Sequence, residues 1–70
     1  MNADLAYVIE AIERDTAYRL RRVMGSASVL LFWHRIEKAH GNVERRRAIC
    51  DDARRVCDMY ERVEDDEHTA

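Results

Sequence analysis

Proline is absent from this chain, and glycine occurs only at Gly25 and Gly41. These are the residue types that break helices, so helix is permitted almost throughout. Cysteine is scarce too. Cys50 and Cys57 cannot make a disulfide framework, and no cluster has zinc-finger spacing. Long apolar runs are missing: residues 29–33, and any other run in the chain, fall far short of the roughly 20 residues a membrane span needs. Asp4 and Glu10 interrupt the N-terminus, which therefore lacks the apolar core of a signal peptide. Together these absences predict a cytoplasmic, reducing setting, both cysteines as thiols, and no membrane partner.

What remains must stabilise a very small fold. A chain of 70 residues buries only about 60% of its unfolded surface, and neither disulfides nor a metal are on hand to help. Self-association or very regular helix packing is left. Apolar residues make up 47% and charged residues 37%, the latter well above the usual quarter, which argues against low-complexity disorder. Every basic side chain but Lys38 is arginine. Arginine forms forked contacts with carboxylates and stacks on rings, a bias suited to interfaces. A GC-rich genome would leave the same bias.

Charge is segregated although the total is only −2. Residues 1–13 are acidic through Asp4, Glu10 and Glu13, whereas 14–22 and 35–47 are basic and the last residues acidic again. Such a pattern can steer a partner, but the near-neutral total gives no bulk attraction to nucleic acid or membrane.

Apolar spacing predicts three helices over about 3–24, 27–39 and 43–64, with 65–70 as a flexible acidic tail. In the first, Leu5, Val8, Ile9, Ile12, Thr16, Leu20 and Val23 share a stripe, with Tyr7, Ala11 and Tyr18 widening it. Asn2 or Asp4 is the expected cap, and Glu10 with Arg14 and Asp15 with Arg19 are the expected ion pairs. Gly25 should stop this helix, with Ser26 or Ser28 capping the next. Gly41 and Asn42 repeat that punctuation. In the third helix, Ile49, Ala53, Val56, Tyr60 and Val63 form a heptad-like seam with Cys50 and Cys57 along one edge. An alternative is a helix running through Gly25, giving a long hairpin that turns at 40–42. The fold class is all-α in either version.

Residues 29–33 (Val29, Leu30, Leu31, Phe32, Trp33) are apolar in five successive positions. Five successive residues exceed one helical turn, so no orientation hides them all against one neighbour. The second helix must be central or must use one side for another molecule. Pairing into a homodimeric bundle is the expected outcome.

His34, His40, Cys50, Cys57 and His68 are potential metal ligands. Cys50 and Cys57, seven apart on one helix, are about 10 Å from each other, too far to share an ion or a disulfide. A nucleophilic set of Cys50, His34 and Glu37 has no local signature to support it. No catalytic, cofactor or metal site is therefore expected. Arg45, Arg46 and Arg47 open the third helix after a tight turn, where a helix-turn-helix protein places its reading residues, but Asp51 and Asp52 follow closely and would repel phosphates. Arg46 also falls in the seam, from which it could pair with an acid across an interface. Glu44, Asp51, Asp58 and Asp65 recur every seven residues; such a strip can mimic a nucleic-acid backbone, though interleaved arginines favour an ordinary charged face.

The expected activity is thus stoichiometric binding of another protein, not catalysis. The contact residues expected for a partner or a dimer are Leu30, Leu31, Trp33, Arg35, Arg45, Arg46, Asp51 and Asp58. In size, absence of site motifs and mixed-charge helices, the chain resembles the small single-domain inhibitors of phages and mobile elements, anti-CRISPR and other anti-defence proteins among them. That resemblance is compositional and attaches to no particular residue. The alternatives are a small DNA-binding regulator using Arg45, Arg46 and Arg47, or an adaptor subunit whose apolar face is an assembly surface.

Overall fold

The computed structural model describes residues 3–69, with side chains described for 5–62. Three helices follow one another: α1 (Ala3–Met24), α2 (Ser26–Lys38) and α3 (Val43–Thr69). A single residue separates the first two. Gly25 has φ 94° and ψ 178°, a combination open essentially to glycine alone, and its amide closes α1 on the Arg21 carbonyl at 3.1 Å. The chain therefore breaks at Gly25, and a helix through it is ruled out. Because Gly25 itself occupies the capping position, Ser26 is already helical and neither serine caps α2.

The second turn works differently. Ala39, with φ −97° and ψ 18°, ends α2, and its amide reaches the carbonyls of Arg35 at 3.2 Å and Ile36 at 3.0 Å. Asn42 donates to the Ala39 carbonyl at 2.9 Å, a tight turn that needs no left-handed residue, so Gly41 keeps an ordinary φ. Asn42 does cap α3 as expected: its Oδ1 accepts the Arg45 amide at 3.0 Å. At the far end, α3 continues to Thr69, five residues beyond the expected stop. Residues 65–69 lose apolar character but contain neither glycine nor proline, so nothing in them interrupts the backbone ladder. The expected Asn2 cap lies outside the described residues, as do the side chains of Asp4, Val63, Asp65 and His68.

Two ion-pair groups fix how the helices run. Glu13 of α1 meets Arg46 of α3, and Arg19 meets Asp58 and Glu61. The order is the same on both helices, so α1 and α3 are parallel and α2 is the return leg, about 20 Å long at 1.5 Å per residue. Arg19 thus turns away from Asp15, its expected partner one turn earlier, to bridge to α3.

The core joins Ala17 and Leu20 of α1, Phe32 and Ile36 of α2, Ala39 just beyond it, and Ile49, Cys50 and Cys57 of α3. The centre of α3's buried face is Arg46, Cys50, Ala53 and Cys57, with the cysteines wholly enclosed and Tyr60 half in solvent. This corrects the expected seam, in which the cysteines were an edge and Tyr60 a member. The reason is that α3 meets α1 as well as α2, and small side chains (Thr16, Ala17, Cys50) allow the two long helices to approach closely. Leu5 and Val8, expected on the buried stripe, are half exposed; with Ile9 and Ile12 they line an open pocket beside Val43, Glu44 and Arg47 at the start of α3.

Candidate protein-binding surface

On α2 the apolar pentad is divided. Phe32 points into the core at 4% exposure, and Val29 packs against it from a half-buried position. Leu30 is 72% and Leu31 61% exposed, and Trp33 keeps 37% while its ring meets Phe32 edge-on at 5.3 Å. At 100° per residue, Phe32 and Ile36 define the inward direction, which leaves Leu30 facing outward and Leu31 and Trp33 on its two shoulders. Once the three helices have packed, two adjacent leucines remain in water.

Leu31 and Arg35, one turn apart, border a shallow groove of about 160 Å³ where all three helices meet; Leu20, Met24, Ala53 and Val56 form its floor and far side. Met24 is 38% exposed and Tyr60, one turn beyond Val56, is 51% exposed. Tyr60 was expected in the seam of the third helix, whereas Met24 was not singled out from sequence, although an apolar residue placed directly before the Gly25 break was a usable signal. Asp52 sits on the groove's rim but pairs with Arg55 at 2.6 Å.

The charged residues expected at the interface meet different fates. Arg46 is drawn inside: its Nε and Nη2 donate to the two carboxylate oxygens of Glu13 at 2.7 and 2.8 Å. The side chains are 12% and 3% exposed, so this is a buried fork, and the Glu13 contact raises the Arg46 pKa. Asp58 bonds to Arg19, which also donates to Glu61 at 3.1 and 2.9 Å. The Glu61 carboxyl is held below its ordinary value by that guanidinium. Arg46 and Asp58 therefore fasten α1 to α3 within one molecule. Asp51 lies 3.5 Å from Arg47 on the same helix. Arg45 alone of the arginine run stays exposed without a side-chain partner among the described residues, so Arg45, Arg46 and Arg47 do not act as one basic unit.

The chain matches no family model, no curated protein and no solved structure.

Cys50 and Cys57 are wholly enclosed, and burial pushes both thiols up; at Cys50 the nearby Glu13 charge adds to the shift. Among the described residues, no three of His, Cys, Asp and Glu gather at metal-ligand distance, and no described helix is long and apolar enough to cross a membrane. What the surface offers is apolar contact from Leu30, Leu31, Trp33 and Met24, with Arg35 at its edge.

Proposed function

We propose that the protein is a non-enzymatic binding module that docks through the outer half of α2, and that a second copy of the chain covers this face. The carrying observation is the exposure of Leu30 and Leu31, 72% and 61%, side by side in a completed fold. Fully burying one such side chain is worth about 1.5–3 kcal/mol, so pairing the two across a two-fold axis supplies a substantial drive. The later part of the same face carries His34, Glu37 and Lys38, of mixed sign, so like copies meet without a charge cluster.

In such a module, action on a target is stoichiometric occlusion or bridging, the mode of the small phage inhibitors that the chain resembles in composition.

Thermal melting tests the proposal, because a fold stabilised by association melts higher as protein concentration rises. The wild type should show that dependence. Leu30→Asp/Leu31→Asp should lose it while keeping its far-ultraviolet helical signal, since both sites are exposed. A wild-type midpoint that ignores concentration contradicts the proposal.

A further inference from the structure

On α1 the side chains left outside the core also fall on a regular line. Tyr7, Ala11, Arg14, Tyr18 and Arg21 follow steps of four, three, four and three, within about 40° of one direction and opposite the buried Ile9, Thr16 and Leu20. Tyr7 and Tyr18 are 69% and 68% exposed. The side chains of Arg14 and Arg21 are exposed and form no hydrogen bond or ion pair among the described residues. The guanidinium of Arg22, beside the line, lies 6.0 Å from the centre of the Tyr18 ring. Glu10 and Asp15 border the line but bond to neither of its arginines.

The spacing is that of a helix seam, and it runs for about 21 Å. Its composition is not that of a core: two tyrosine rings share the line with two guanidinium groups that bond to no carboxylate among the described residues, and tyrosine and arginine are among the side chains that most often dominate interface energies. Charge then selects the occupant. A second copy lying parallel would set Arg14 and Arg21 against their equals, and an antiparallel one would set them against tyrosine or alanine and offer Arg21 no carboxylate on the line. Single-stranded nucleic acid stacks on aromatic rings but follows positively charged grooves, and here the rings stand on the convex ridge of one helix in a chain of net charge −2. A neighbouring helix of opposite charge satisfies both the spacing and the charge.

We propose that the outer line of α1 docks an amphipathic helix of another protein, with acidic side chains opposite Arg14 and Arg21 and apolar ones against Tyr7 and Tyr18. This surface lies on a different helix from the α2 face and does not depend on what covers that face. One protein could thus associate through α2 while holding an acidic helical target on α1.

The probe is a synthetic helical peptide whose seam alternates leucine and glutamate, titrated into isotope-labelled protein and followed by amide chemical shifts. A matched peptide with lysine for glutamate, and an oligothymidine, are titrated in parallel. Shifts should cluster over residues 7–22 and appear with the acidic peptide. Arg14→Glu/Arg21→Glu should weaken that binding at least about tenfold, because like charges then face each other. Arg54→Glu/Arg55→Glu, the same charge change on exposed α3 surface, should leave it unaltered. Shifts centred on α2, equal binding of the lysine peptide, tighter binding of oligothymidine, or no response at millimolar peptide would each overturn the proposal.

Discussion

Removing the guanidinium of Arg46 would strand the carboxylate of Glu13, which is 2% exposed and has no other cation bonded to it among the described residues. Breaking one side of a buried pair costs about 3–5 kcal/mol, whereas replacing both sides by apolar groups is often neutral or stabilising. Arg46→Ala should therefore lose most of the cooperative urea transition of so small a domain, and Glu13→Leu/Arg46→Leu should regain it. A wild-type transition in Arg46→Ala would show that the fork contributes nothing. Half of this pair was legible in the sequence. Arg46 stands on the line 46, 50, 53, 57, and Glu13 stands on an equivalent line through Ile9, Thr16 and Leu20. Each buried line carries one charge, of opposite sign. Joining them required knowing that α1 and α3 run parallel, which no local pattern encodes. The two leucines were legible for a different reason: five apolar residues in succession cannot all face inward, whatever the neighbours.

At the scale of elements, the two glycines separate local backbone strain from packing, because a Cβ added at either would meet nothing within 4 Å. Gly25 holds a conformation that costs other residues about 1–3 kcal/mol, so Gly25→Ala should lower stability by that amount. Gly41 has no positive φ, and Gly41→Ala should be neutral or stabilising by up to about 1 kcal/mol. Denaturant melts of the two variants would distinguish them, and equal effects would contradict the assignment. The glycine pattern marked both breaks correctly but could not distinguish a left-handed stop from an ordinary turn. Nor could apolar spacing locate the centre of α3's buried face, since a cysteine reads as merely small and a tyrosine as apolar. The contact between α1 and α3 near their later turns should also carry a pH signature. Glu61 is lowered from 4.5 by Arg19, so its contribution is complete above that value and is lost as pH falls through the lower folded value. Arg19→Ala should flatten the fall in stability below pH 4.5 relative to wild type. An unchanged acid slope would remove Arg19 as its cause.

As a whole molecule the chain is elongated, with extents of 49 × 21 × 15 Å and a radius of gyration of 13.6 Å, where a compact chain of this length is expected near 11 Å. Elongation follows from the lengths of α1 and α3, 22 and 27 residues, beside an α2 of only 13, and that short middle helix carries Leu30 and Leu31 in water. Size and charge share hinted at this in the sequence, but which side of α2 stays open depended on the parallel pairing of its neighbours. Light scattering across a size-exclusion peak, repeated through the micromolar range, measures the consequence directly. The expected mass is twice 8.3 kDa for the wild type and 8.3 kDa for Leu30→Asp/Leu31→Asp. A folded wild-type chain that stays at the single-chain mass at every concentration would contradict a second copy on α2.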